Sequence, residues 1–222
     1  MASEVDICNL ALAHLGDAAT VSSINPPEGS VQAEHCSRFY PIARDALLEM
    51  HAWGFATKRV AIAYLTNTWP EWTYAYAVPN DAVNIIAILP SEATNDYSVG
   101  INTMFSQTGL PLIAGGVYQP QPYAVETQAD GTQIIYTNQE DATLRYSALI
   151  TDTTQFSPLF VASLSYLLAS YLAGPTIKGE IGSAEAKRCL GLFQATFGKA
   201  SVSDASQRRN TISQNVGWMT GR

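Results

Sequence analysis

Apolar positions first recur at helical spacing in Val5, Cys8, Ala11, Leu12 and Leu15, which share one face. Ser3 precedes them as a cap, with Asp6 at the favourable end of the helix dipole, and Gly16 is the natural stop. A polar loop over 17–29, stiffened by Pro26 and Pro27, leads to a second helix over 30–53. There Val31, His35, Phe39, Ile42, Leu47, Met50 and Trp53 follow helical spacing only approximately. Pro41 removes one backbone bond and crowds the carbonyl four residues back, which predicts a kink or break near 37–40. Gly54 and Phe55 end the element, and 55–65 is ambiguous by periodicity.

From Trp72 the period changes to two. Thr73, Ala75 and Ala77 face one way and Trp72, Tyr74, Tyr76 and Val78 the other, a half-buried strand closed by Pro79. Residues 83–89 form a strand apolar enough to be covered on both faces, and Pro90 closes it. Glycines and prolines break up 91–121, which reads as a projecting loop or short hairpin. Strands over 123–127 and 133–137 around Asp130 and Gly131 form a β-hairpin, and 143–150 is a further strand. Around six short strands are expected between 72 and 150. Ser157 and Pro158 open a helix with a wide apolar face, which Gly174 and Pro175 stop. Ser183 opens the last helix, with Ala186, Cys189, Leu190, Phe193, Phe197 and Ala200 as its buried stripe. Periodicity ceases near Ser206.

The stretch 30–81 organises the rest, because three of the four tryptophans fall in it. Each such ring buries on the order of 150–250 Å². Helices and sheet are expected to meet there, packed by Trp53, Phe55, Trp69, Trp72, Tyr74, Tyr76, Pro79 and Asp81.

Composition narrows the class. Of 222 residues, 47% are apolar and 14% charged, enough for a substantial core and against wholesale disorder. Low charge with 10% aromatics suggests apolar surface covered by partner chains. The net charge of −7 is unevenly spread: residues 1–177 carry five basic and sixteen acidic side chains, residues 178–222 seven and three. That is the wrong sign over the main body for a duplex-binding groove, while the basic end suits an acidic partner or a neighbouring copy. The N-terminus lacks the n- and h-regions of a signal peptide. Residues 159–173, the most apolar run, are interrupted by serines and fall short of the ~20 residues that span a bilayer, so they read as a buried helix.

Candidate chemistry is sparse. Cys8, Cys36 and Cys189 are widely spaced core thiols, without metal or disulfide spacing. His14, His35 and His51 lie in helices, and His35 beside Cys36 does not share a helical face with it. Gly115 and Gly116 lack the helix start and Lys of a phosphate loop, and Glu140 with Asp141 is a solvated turn. No cofactor or metal is called for. The sharper feature is the tail over 206–222: Ile212, Val216, Trp218 and Met219 as apolar anchors, with Arg208, Arg209 and Arg222 as orienting charges. The alternative is a frayed terminus without function.

The order of these features resembles the head-to-tail adaptor proteins of short-tailed bacteriophages, of the tail tubular protein A type. The resemblance spans about residues 4–205 and rests on Trp53-Gly54-Phe55-Ala56 and on Tyr74-Ala75-Tyr76-Ala77-Val78-Pro79-Asn80-Asp81. It also includes the helix opening at Phe156-Ser157-Pro158-Leu159-Phe160, whereas 91–121 matches no pattern of the family. The resemblance implies a ring of identical subunits, typically a dodecamer, between the portal protein and the tail nozzle protein. Double-stranded DNA would pass through the lumen without sequence-specific binding, the tail would clasp the portal, and no membrane would be involved. The protein would sit in the virion at the head–tail junction after synthesis in the host cytoplasm, and would not be an enzyme.

The expected fold is α+β. About four helices from 1–65 and 151–205 form a bundle, 66–150 is an antiparallel β-rich insertion, and 206–222 extends as a tail. Two other classes remain open: a ligand- or glycan-binding module built on Trp69, Trp72, Tyr74 and Tyr76, and a tail-associated cell-wall hydrolase. The latter needs converging carboxylates or a pair such as Cys36 and His51.

Overall fold

The structure, a computed structural model, describes residues 2–18, 20–90, 104–105, 111–112 and 121–207. The proposed anchor Arg208, Arg209, Ile212, Val216, Trp218, Met219 and Arg222 therefore lies outside the described residues. The chain is of mixed α+β class, with four α-helices and antiparallel strand pairs among the described residues. It divides into a helical unit, Met1–Thr57 with Ser147–Arg208, and a β unit whose described part lies within Lys58–Tyr146.

In the helical unit, α1 (Glu4–His14) starts with a full capping box. Ser3 Oγ accepts the Asp6 N–H at 3.1 Å and the Asp6 carboxylate accepts the Ser3 N–H at 2.8 Å. It ends in a Schellman turn. Gly16 at φ +76° donates to the Ala13 carbonyl at 3.0 Å, and Asp17 reaches the Leu12 carbonyl at 3.1 Å.

Of the kink or break expected near 37–40, the break does not occur: helix α2 (Val31–Met50) runs continuously through Pro41. Pro41 lies on the exposed face and Ser37, four residues back, is only half-buried, so water can satisfy the freed carbonyl. The buried face also differs from expectation. It is Ala33, Cys36, Tyr40, Ala43, Arg44, Leu47 and Leu48, while Val31, Ile42 and Met50 are each more than half exposed. At one pair of neighbours the smaller residue took the core side, Ala43 facing in and Ile42 out.

Helix α3 (Pro158–Ile177) is capped by Ser157, whose Oγ accepts the Phe160 N–H at 3.2 Å. It continues past Gly174 and Pro175, which were expected to stop it; the turn comes instead at Lys178 (φ +58°) and Gly179 (φ +66°). Helix α4 (Gly179–Ala205) consequently begins four residues before Ser183. The turn is tight because Gly182 brings α4 against α3: a Cβ there would meet the Ala173 carbonyl oxygen at 3.0 Å. Helices α1, α2 and α4 all pack on α3, and α1 hardly touches α2. By length and composition α3 is apolar enough to cross a membrane (mean hydropathy 1.4), yet half of that window is buried inside the protein. Its core serines are satisfied locally, Ser163 Oγ by the Leu159 carbonyl and Ser165 Oγ by that of Ala162, both at 2.8 Å.

The ambiguous stretch 55–65 resolves into a 3-10 turn at Gly54–Ala56 and two strands, β1 (Thr57–Ala61) and β2 (Tyr64–Leu65). They are followed by β3 (Tyr74–Ala77), β4 (Ala82–Leu89), the two-residue strands β5 (Met104–Phe105) and β6 (Pro111–Leu112), β7 (Tyr123–Thr127), β8 (Gln133–Thr137) and β9 (Thr143–Ala148). The strands order as β1-β9-β4 and β2-β3-β8-β7, with β5 and β6 paired separately. The β7/β8 hairpin falls where the sequence placed it, turning at Gly131 (φ +86°) with Asp130 Oδ1 accepting the Thr132 N–H at 2.9 Å. Strand β3 is covered on both faces at its centre rather than one: Ala75 packs with Ile134 and Tyr136 under Trp72, and Tyr76 is also buried.

Candidate functional site

The residues expected to pack one helix–sheet junction fall into two separate sets. Trp53 and Phe55 belong to the helical unit; Trp69, Trp72, Tyr74, Tyr76, Pro79 and Asp81 belong to the β unit.

Trp53 is fully buried where α2 ends, and its indole N–H donates to the Leu47 carbonyl at 2.9 Å. Phe160 of α3 and Phe197 of α4 meet it edge-on, with centroids 5.0 and 6.1 Å away, and Phe55 stacks beside it at 6.0 Å. Directly after it, the Gly54 N–H donates to both carboxylate oxygens of Asp204 at 3.0 Å, and His51 Nε2 lies 3.3 Å from Asp204 Oδ2. Asp204 thus ties the last turn of α4 to the end of α2, a few residues before the chain leaves that helix. No local sequence signal marks this contact, because its partners are 150 residues apart.

In the β unit, Asp81 bonds to Lys58 Nζ at 2.7 Å and to the Tyr146 hydroxyl at 2.9 Å. Lys58 first, then Tyr146, hold the Asp81 carboxyl below its ordinary range against the opposing effect of burial. Burial, then the bond to Asp81, push Tyr146 up to about 12. A second cluster joins Tyr64 and Asp141: the Tyr64 hydroxyl donates to Asp141 Oδ1 at 2.9 Å and accepts the Asp141 N–H at 2.8 Å. Tyr64 packs against both Tyr74 and the buried Tyr76. Pro79 is half-buried and its carbonyl accepts the Ala82 N–H at 3.0 Å, starting β4. Trp69 stands apart, 55% exposed, at a cleft of about 460 Å³ that Glu126, Gln128 and Asp130 also line.

The side chains weighed for catalysis do not converge. Cys36 faces Cys8 in the core; their hydrogen bond, then burial, push the Cys8 thiol far up, and the same bond lowers Cys36, which is buried as well. His51 lies fifteen positions further along the chain, roughly 22 Å away at helical rise. His14 stacks on Tyr166 and meets Ser165 Oγ at 3.1 Å, with its pKa lowered by burial and then by Arg188. Among the described residues no group of His, Cys, Asp and Glu could hold a metal ion.

The helical surfaces are more telling than any cleft. Val31, Ile42 and Met50 stand out from α2, and Ile181, Leu190, Leu192 and Val202 from α4. Lys187 and Lys199 lie exposed on the same helix as the second group. A scan against protein-family models finds no match for this sequence, and a search of curated proteins finds no significant one.

Proposed function

We propose that the chain is a structural adaptor subunit of a virion, assembling into a ring of identical copies that joins a portal to a tail nozzle and lets the genome pass. The reading rests on the resemblance of Trp53-Gly54-Phe55-Ala56 and the Tyr74 to Asp81 motif to phage adaptor proteins. The observation that agrees with it is the set of large apolar side chains exposed on α2 and α4, among them Val31, Ile42, Ile181 and Val202, which subunit contacts would cover. In this reading the four helices act as a bundle whose outer faces make heterologous contacts and close the ring. The acidic main body keeps the DNA backbone from sticking, and the basic, Trp218-bearing tail clasps the portal.

The test is the mass of the purified protein, alone and mixed with portal rings, for the full chain and for one ending at Ser206. Binding that is lost on truncation supports both adaptor and anchor. Binding that survives it keeps the adaptor and discards the anchor. No binding by either chain removes the reading.

One observation favours a second reading. Exposed Trp69 beside Glu126, Gln128 and Asp130 has the makings of a sugar platform, an aromatic face with polar groups at its edge. Glycan binding by the full chain that Trp69→Ala abolishes would support it.

A further inference from the structure

Cys8 of α1 and Cys36 of α2 are both fully buried, and their thiols lie within hydrogen-bond reach of each other. The residues one turn away repeat the approach: Glu4 shares a face of α1 with Cys8, Tyr40 shares a face of α2 with Cys36, and the two line one cleft. Elsewhere α1 and α2 hardly touch, and each rests mainly on α3. The chain between them is pinned near both cysteines. Asn9, next to Cys8, donates its side-chain amide to the Val21 carbonyl at 2.9 Å and accepts the Val21 N–H at 2.7 Å. Gln32, one turn before Cys36, donates to Asp17 Oδ2 at 3.3 Å. The two helices are therefore held at their spacing by groups other than the thiols. A thiol is a poor donor and a poor acceptor, so the pair gains little as a hydrogen bond. What the contact supplies is the closeness that a covalent bond needs. The third thiol, Cys189, lies on α4 beside Arg188 and Glu185.

We propose that Cys8 and Cys36 are a redox modification site: a dithiol in reducing surroundings and, in oxidising ones, a disulfide that staples α1 to α2. The oxidant is a low-molecular-weight disulfide. One protein thiolate attacks a sulfur of the oxidant, a small thiolate leaves, and a mixed disulfide remains on the chain. The second protein thiolate attacks the protein sulfur of that mixed disulfide and expels the other small thiolate. Two protein thiols are oxidised, one small disulfide is reduced to two thiols, and the protein's two protons end on them. Donation from the Cys8 S–H favours the thiolate on Cys36, the form that attacks. Because both sulfurs are buried, the oxidant enters while α1 is undocked, either before it seats on α3 in folding or when this helix of 11 residues opens locally. Docking then brings the second sulfur in. The bond closes a loop of about 28 residues and removes closure entropy from the unfolded chain. The site does not depend on the adaptor reading.

The test is oxidative refolding of the full chain from urea in mixtures of oxidised and reduced glutathione, trapped with iodoacetamide and read by intact mass and peptide mapping. The expected product is a single chain with a Cys8–Cys36 bond and one alkylated cysteine, Cys189. Folding and the bond are linked, so the folded chain should keep it in a mixture about a hundredfold more reducing than the same chain tolerates in urea. The oxidised chain should melt about 5–10 °C above the reduced one, and dithiothreitol should remove the difference. Cys189→Ala should oxidise as the parent does, whereas Cys8→Ala and Cys36→Ala should fold and form no bond within the chain. Three alkylated cysteines at every ratio, linkage through Cys189 or between chains, equal bond formation in the folded chain and in urea, or a Cys8–Cys36 bond that lowers Tm would overturn the proposal.

Discussion

Asp204 shows how one carboxylate can join distant parts of a chain. It sits in the last turn of α4, where the helix dipole disfavours an anion, and is held there by the Gly54 N–H and His51. Its side chain is only 11% exposed, so the bonds are made largely out of water. Asp204→Ala removes a charged acceptor from the exposed Gly54 N–H, which water can then satisfy, and should cost about 1 kcal/mol, measured by urea unfolding. Tyr146 and Asp81 allow a prediction in pH. Tyr146 is raised to about 12, so the unfolded chain, with an ordinary tyrosine near 10, loses that proton first. The contribution is complete below pH ~10 and disappears as pH rises towards 12. Stability measured from pH 9 to 12 should fall, and Tyr146→Phe should flatten that slope. Asp81 has the opposite sign: its depressed pKa favours the fold above about pH 4 and is lost on acidification.

At the scale of elements, two glycines of α4 should respond in opposite directions. Gly182→Ala forces a Cβ to 3.0 Å from the Ala173 carbonyl oxygen at the α3–α4 contact and should destabilise by about 1–3 kcal/mol. Gly191 is exposed within the same helix with nothing within 4 Å, so Gly191→Ala should stabilise by about 0.5–1 kcal/mol. Thermal unfolding of the two variants checks both. Elements legible in the sequence were those whose causes are local: the Ser3 and Ser157 caps, the Gly16 stop, and the β7/β8 hairpin around Gly131. Errors arose where tertiary packing overrode local rules. Pro41 and Pro175 were tolerated inside helices, and α2 turned its alanines inward in place of Val31 and Ile42. The same limit applies to sites. Tyr64 with Asp141, Asp204 with Gly54 and Cys8 with Cys36 come from segments without a shared motif, and only the fold brings each pair together. Trp69, singled out as packing material, is mostly exposed.

At the scale of the whole molecule, assembly through α4 makes its own prediction. Val202, 70% exposed, should tolerate Val202→Lys with a change in stability within about ±0.5 kcal/mol. If α4 lies between copies, the same variant should shift the mass of the portal-bound assembly downward in native mass spectrometry, and an unchanged mass would take α4 out of the interface. The helical unit is also split in the sequence: α1 and α2 rest mainly on α3, which follows them only after the β unit has been made. During synthesis the first two helices therefore emerge with their apolar faces uncovered and wait for some hundred residues to follow, several seconds at ~5–20 residues per second. The β hairpins, whose partners are near neighbours, can close in that interval. The order of folding is thus not the order of translation, and the earliest residues made are among the last to find their core.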